Sequence, residues 1–217
     1  MNYAIVRRNM VESQVKANRV TDPRVIEAVA EVPREVFVPK QLRGIAYIDE
    51  DIDLGGGRAI MKPMIFARML QVAEIGGSDV VLDVGCASGY SSAVLARLAS
   101  TVVALEADVE LAKQAGALLA KLAVDNVAVV SGPLAAGDAA HGPYDVIVVE
   151  GAVGRVPDAL TDQLADGGRL LAVVVDDSGV GRATVVMRIG GVSSSRIVFD
   201  ASIAPLPGFA CQAGFVF

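Results

Sequence analysis

Apolar residues along this chain recur in two periods that alternate, one helical and one suited to buried strands. From about Tyr3 to Asn18 the spacing is mixed helical, with Met10, Val11 and Val15 on one side. Asp22-Pro23 then marks a helix start, an N-cap acid followed by proline in the first turn. Val25, Ile26, Val29 and Val32 carry the stripe on until Pro33 stops it. Pro33 to Pro39 and Ala46 to Asp49 read as irregular segments, and Gly55-Gly56-Gly57 as a flexible loop able to drape over a ligand. Pro63 opens a helix with Phe66, Met69, Leu70 and Ala73 at helical spacing.

Beyond that point strand and helix patterns alternate at short intervals. A buried strand runs through Val80-Val81-Leu82 to Asp83, and a helix through Ser91 to Leu98. A second strand covers Val102 to Glu106, and Asp108 caps a helix whose Leu111, Ala115, Leu118 and Leu122 face one way. Strands follow at Asn126 to Ser131, Tyr144 to Glu150 and Arg169 to Val175, with a helix at Pro157 to Leu164 between the last two. Arg182 to Ile189, Gly190-Gly191 and Ser195 to Ile203 form a closing β-hairpin at the sheet edge. The alternation predicts an α/β fold, a doubly wound and mostly parallel sheet with helices on both faces. No internal repeat or linker divides the chain. One domain is expected over 1–217, with 1–75 as helical and loop cover and 76–217 as the ligand-binding core.

The informative stretch is Asp83-Val84-Gly85-Cys86-Ala87-Ser88-Gly89-Tyr90. Two glycines four apart, between a strand and a helix, form a tight turn where a ligand can approach the backbone. Glu106 ends the next strand, where a carboxylate can accept both hydroxyls of a ribose. An adenosine-containing ligand follows. Dinucleotide cofactors usually require G-x-G-x-x-G for their pyrophosphate, and here Ala87 replaces the middle glycine. With Asp83 two residues before the first glycine, a cationic ligand without phosphates fits better, and S-adenosylmethionine is one. The competing reading is an ordinary strand–helix turn with no ligand. N-terminal helices, doubly wound sheet and C-terminal hairpin together outline a class I S-adenosylmethionine-dependent methyltransferase.

Composition narrows the picture. A chain of 217 residues, 53% hydrophobic and 20% charged, suits one globular interior. The net charge of -6 disfavours a surface that neutralises many phosphates, so no nucleic-acid partner is expected. No apolar run approaches the ~20 residues that span a bilayer. Met1 to Arg8 lacks the core and cleavage site of a secretion signal, so cytoplasmic residence is expected. Cys86 and Cys211 have no metal-ligand spacing, and His141 lies in a Gly/Ala/Pro-rich loop, read as solvated rather than catalytic.

The chain resembles the protein-L-isoaspartate O-methyltransferase family over nearly its whole length. The resemblance rests on Val32-Pro33-Arg34-Glu35-Val36-Phe37-Val38-Pro39, Ala46-Tyr47-Ile48-Asp49, Pro63, the Asp83–Tyr90 turn and Glu106. It continues through Pro143-Tyr144-Asp145-Val146-Ile147-Val148 and Gln163-Leu164-Ala165-Asp166-Gly167-Gly168-Arg169-Leu170. The glycine turn alone is shared by many methyltransferases; the ordered Pro-Arg-Glu-x-Phe-Val-Pro and Ala-Tyr-x-Asp blocks are far more selective. The resemblance implies methyl transfer from S-adenosylmethionine to the free carboxylate of isoaspartyl residues in damaged protein. It also implies cofactor contacts from Asp83, Gly85, Cys86, Ala87, Ser88, Gly89, Tyr90, Glu106 and Ala107, and from Gly132, Pro133 and Leu134 after the third strand.

Two departures stand out. Where the family carries a Thr-Ile-Ser-x-Pro loop with an active-site serine, this chain has Arg58-Ala59-Ile60-Met61-Lys62-Pro63, and Met61 offers only a weak thioether acceptor. Lys62 can attract a carboxylate or simply be solvated. Where the family commonly has Gly-Asp for the adenine amino group, this chain has Gly132-Pro133, which leaves backbone groups or a shifted acid such as Asp138 as the substitute. Glu150 is read either as a ligand-facing acid or as a structural acid for loop N–H groups. Two other readings stay open, a methyltransferase with a changed acceptor and a non-catalytic adenosyl-binding protein. All of the ligand readings need a hollow at the carboxyl edge of the sheet, beside Glu106.

Overall fold

The computed structural model describes residues 1–209. Cys211 lies outside them. Helix α1 (Tyr3–Met10) starts at Asn2, whose side chain accepts the Ile5 N–H, and continues through a wider π turn (Val11–Val15) and a 3-10 turn (Lys16–Asn18). Helix α2 (Pro23–Glu31) is capped as expected, with the Asp22 carboxylate accepting the Arg24 N–H. The triple glycine proves to be the turn of a hairpin, β1 (Ile52–Gly55) with β2 (Arg58–Ile60). Gly55, Gly56 and Gly57 all have positive φ, which favours glycine. Helix α3 (Pro63–Ala73) follows.

The seven-stranded sheet contains β3 (Val80–Val84), β4 (Thr101–Glu106), β5 (Val127–Ser131), β6 (Tyr144–Val153), β7 (Leu164–Val175), β8 (Gly181–Ile189) and β9 (Val192–Asp200). Its order is β5-β4-β3-β6-β7-β8-β9, with β3 to β7 parallel and the last two strands antiparallel. Between strands lie α4 (Tyr90–Leu95), α5 (Val109–Lys121) and the single turn α6 (Asp158–Thr161). The expected helix at Pro157 to Leu164 is thus mostly absent, because Leu164 already pairs with Tyr144 in the sheet and β7 begins there.

Strand alternation sorts the core into two layers. Val81, Val102, Val146 and Val148 face α3, α4 and α5 through Phe66, Leu70, Leu95 and Leu119. On the other face Leu82, Val84, Val103, Leu105 and Ile147 are covered by Leu134, Leu160 and Leu206, from a turn, α6 and a strap after β9 (residues 204–207). Connections run out in opposite directions from β3, which lies between β4 and β6, so a crevice is expected at the carboxyl ends of those strands. Among the described residues no helix is long and apolar enough to cross a membrane.

Candidate active site

The turn after β3 is pinned to its neighbour, since the Gly85 and Cys86 N–H groups both donate to Leu105 O, at 2.8 and 3.2 Å. Gly85, Ala87 and Gly89 take φ of 86°, 50° and 92°. Ala87 therefore holds a left-handed conformation that costs an L-residue roughly 1–2 kcal/mol. Gly89 also needs its missing Cβ, which would lie 3.1 Å from Ala115 Cβ on α5. Ser88 Oγ donates to Phe37 O at 2.7 Å, tying the turn to the Pro-Arg-Glu-Val-Phe-Val-Pro stretch. Tyr90 is buried between Phe37 and Phe66, with ring centroids 5.9 Å away in each case, and the Arg34 guanidinium lies 4.7 Å from its centroid. Burial raises the Cys86 thiol well above its ordinary range, so it behaves as a small apolar residue.

Glu106 is wholly buried at the tip of β4. Its Oε1 accepts the N–H groups of Ala107 (2.8 Å) and Asp108 (3.1 Å), and its Oε2 that of Ala87 (2.7 Å). Glu106 is therefore brought together with Ala87 and Ala107, two of the other residues read as cofactor-binding. The hollow beside them is not open. Arg58 reaches in from β2 and donates from Nε to Oε1 (3.1 Å) and from Nη2 to Oε2 (2.6 Å). A Cβ on Gly85 would meet Leu206 Cδ1 at 2.9 Å and Arg58 Nη2 at 3.0 Å, so the approach to the turn is filled as well. What remains is about 10 Å³, bordered by Ala59, Met61, Cys86, Tyr90 and Glu150 among others, space for a single water at most. The expectation of an open hollow is corrected accordingly. The reason is electrostatic, since a buried carboxylate without a cation or polar partners is expensive and Arg58 supplies the cation. The signal available in the sequence is Arg58 itself, the one cation of the hairpin, directly after three glycines.

Three further buried polar atoms lack hydrogen-bond partners here, Asp83 Oδ1, Glu150 Oε1 and Tyr90 OH. Asp83 Oδ2 accepts from the Ser91 and Ser92 hydroxyls at 2.7 and 2.6 Å. Burial pushes the Asp83 carboxyl up to about 6, against the lowering effect of those two serines. Glu150 is raised well above the usual carboxylate range, by burial first and by Asp83 second. With Oε1 unpartnered, the reading of Glu150 as an acid that satisfies loop N–H groups gains no support. An unpartnered Asp83 oxygen, a buried Glu150 and the two Glu106 oxygens form an acceptor set of the kind that suits a cation, and Arg58 is the cation that Glu106 holds here.

A model of the protein-L-isoaspartate(D-aspartate) O-methyltransferase family matches residues 6–199. Protein-L-isoaspartate O-methyltransferase 1 of Rhodopseudomonas palustris (strain HaA2) is 39% identical over 209 residues, spanning 95% of this chain and 85% of that protein. The chain belongs to this family. Two solved structures share the fold. One protein-L-isoaspartate O-methyltransferase has a TM-score of 0.81 at 24% identity, covering 93% of this chain and 66% of that one. A second, a putative protein-L-isoaspartate O-methyltransferase from Plasmodium falciparum in complex with S-adenosyl-L-homocysteine, has a TM-score of 0.78 at 20% identity, covering 96% and 99%.

Against the family pattern, Met61 is buried and borders the residual cavity, and its carbonyl accepts from Arg34 Nη2 at 2.8 Å. Arg34 is wholly buried and also donates from Nε to Ala46 O at 2.8 Å, so it fixes both family blocks and the hairpin exit together. Its place in the Pro-Arg-Glu block marks the family but does not by itself disclose this task. Lys62 does not border the cavity; its side chain is only 17% exposed and its Nζ lies 3.9 Å from Glu50, so it is neither at the cavity nor freely solvated. The Gly132 N–H donates to Glu106 O at 3.1 Å, whereas the Leu134 side chain packs in the second-face core, beneath a 3-10 turn that Pro133 precedes. Asp138 is engaged by His141 Nδ1 at 2.5 Å, and its carbonyl accepts from the Tyr144 hydroxyl at 2.6 Å. It is therefore committed to its own loop, and His141 is an exposed loop residue as expected.

Proposed function

We propose that this protein is an S-adenosylmethionine-dependent O-methyltransferase acting on the free carboxylate of isoaspartyl residues in damaged protein. The observation that carries the reading is Glu106, with both oxygens at the tip of β4 beside the glycine turn, in a chain that matches the isoaspartyl methyltransferase family over residues 6–199. The curated relative named above carries that activity in its name, and the Plasmodium neighbour was solved with S-adenosyl-L-homocysteine.

In this reading Glu106 accepts the ribose hydroxyls, and the backbone of Gly85 to Tyr90 and of Ala107 lines the ligand. Gly132, Pro133 and Leu134 flank the adenine by backbone contact, since proline supplies no donor there. The buried Asp83 and Glu150 carboxyls, which give up their protons more readily beside a cation, favour the cationic end. The cofactor supplies an electrophilic sulfonium methyl. An acceptor carboxylate is already ionised near pH 7, so the protein needs no general base. Its work is to hold the acceptor in line and keep water out. The buried walls formed by Phe66, Tyr90, Ile60 and Met61 serve the second purpose. Protein or peptide is the partner, not nucleic acid, consistent with the net charge of -6. Action as one domain in the cytoplasm belongs to the same reading.

Two measurements test it. Calorimetric titration with S-adenosylhomocysteine should show binding. Methyl transfer should then proceed to an isoaspartyl peptide and not to its aspartyl twin; cofactor binding with neither peptide methylated would reject the assigned acceptor.

A further inference from the structure

Arg58 presents two parallel N–H donors to Glu106, one to each oxygen. A ribose also approaches a carboxylate with two neighbouring donors, the hydroxyls of its diol. The two cannot be accommodated together. Oε1 already accepts from Ala107, Asp108 and Arg58, and Oε2 from Ala87 and Arg58. Five donors already crowd a carboxylate that offers about four lone-pair positions, so a diol must take the places that Arg58 holds. Leu206 adds a steric block, with Cδ1 beside the Cβ position of Gly85.

Neither blocking residue belongs to a strand of the seven-stranded sheet. Arg58 opens β2 of a two-stranded sheet that is not joined to the seven-stranded one. Such a hairpin has little stability of its own. Leu206 sits on a strap held to β6 by two backbone hydrogen bonds, from the Ala152 N–H to Ala204 O and from the Leu206 N–H to Ala152 O, both 2.8 Å. The Asp51 carboxylate joins the two parts, accepting the Lys62 N–H at 2.8 Å and the Ala204 N–H at 2.6 Å. A groove of about 300 Å³ runs between hairpin and strap and is bordered by Arg58 itself, leaving room for that side chain to withdraw.

We propose that Arg58, backed by Leu206, is a plug on the ribose seat of Glu106, so that release of the Arg58–Glu106 pair sets both the affinity and the entry rate of the cofactor. This rests on the reading of Glu106 as the ribose-binding residue. The guanidinium does for the carboxylate what a bound ligand does, and the ligand enters by exchange.

The test uses S-adenosylhomocysteine with the full chain. Arg58→Ala and Arg58→Gln should bind it at least tenfold more tightly than the unaltered protein, by calorimetry. Entry should be followed by stopped-flow tyrosine emission, the chain having no tryptophan. In the unaltered protein the observed rate should level off as ligand rises, at the rate of plug opening, and in the variants it should keep rising linearly. The plateau is read on the unaltered protein, so it stands even if a variant folds poorly. Binding by the unaltered protein with equal or weaker binding by both folded variants overturns the plug and leaves the ribose reading intact. So does a rate that stays linear to millimolar ligand. Absence of binding in all three proteins overturns the plug and the ribose reading together.

Discussion

Asp51 and Ala204, 153 residues apart in the chain, are joined by a hydrogen bond from the Ala204 N–H to Asp51 Oδ2 at 2.6 Å. The other oxygen of the same carboxylate accepts the Lys62 N–H at the exit of the β1–β2 hairpin. One side chain thus couples the hairpin that carries Arg58 to the strap that carries Leu206. Replacing Asp51 by alanine leaves two backbone donors without their charged acceptor. Because hydrogen bonds to charged groups contribute about 1.5–3 kcal/mol each, the loss should be roughly 2–4 kcal/mol in a partly buried setting. Asp51→Asn keeps one acceptor oxygen and should lose about half of that. Urea denaturation gives the totals, and hydrogen exchange should show the Ala204 and Leu206 amides freed ahead of the sheet.

Stability should fall as pH rises from about 4 through 7, and Asp83 is the main named cause. Its carboxyl moves from 3.8 to about 6 on folding, chiefly by burial. The folded chain therefore holds a proton that the unfolded chain releases, and folding loses ground as pH climbs through that window. Glu150 is moved the same way. From pH 5 to pH 8 the Asp83 share is about 1–2 kcal/mol, since each tenfold gain in proton affinity on folding corresponds to about 1.4 kcal/mol. Asp176 is lowered, to about 2, so its contribution is constant above pH 4 and does not obscure the trend. Asp83→Asn should flatten the slope. An equal slope in that variant, by urea denaturation at pH 5 and pH 8, would assign the trend elsewhere.

How much of this was visible in the residues depends on the reach of each interaction. The Asp22 cap, the Pro63 helix start and the Asp108 cap were legible because cap and helix are adjacent in sequence. The mostly parallel sheet followed from alternation and short connections. The Arg58–Glu106 pair was not legible, because its partners are 48 residues apart and only burial makes the pairing obligatory. The β1–β2 hairpin was missed because strands of four and three residues carry too little alternation to register. Leu160 and Leu164 have helical spacing, yet Leu164 pairs in the sheet, and a four-residue interval cannot distinguish the two.

Restoring the family's loop hydroxyl with Met61→Ser should raise isoaspartyl methylation and lower stability. Met61 is buried and its carbonyl is fixed by Arg34, so a serine there is held at the residual cavity, beside Tyr90 and Glu150. A hydrogen bond to a carboxylate contributes about 1.5–3 kcal/mol, which corresponds to roughly ten- to a hundred-fold in kcat/KM. Removing the buried side chain should cost about 2–4 kcal/mol of folding stability. Methyl transfer to the isoaspartyl peptide is measured at a temperature where both proteins are folded. An unchanged or lower kcat/KM in a folded variant would count against a missing hydroxyl as the limiting feature.

Within the glycine turn, Gly89 and Ala87 should respond to substitution in opposite ways although both have positive φ. At Gly89 a methyl group meets Ala115 Cβ at 3.1 Å and the backbone sits at φ 92°, so Gly89→Ala combines a clash with a disfavoured conformation. About 1–3 kcal/mol should be lost, with the melting temperature falling accordingly. At Ala87, φ is 50° and the residue already bears the left-handed penalty of roughly 1–2 kcal/mol. Ala87→Gly removes that penalty and gives back about 0.5–1 kcal/mol through the freer unfolded chain, so the net change should lie between zero and about 1.5 kcal/mol of stabilisation. Thermal melts of the two variants separate the causes. A clear loss of stability in Ala87→Gly would mean that the Ala87 methyl, itself buried, contributes more through packing than its backbone loses through strain.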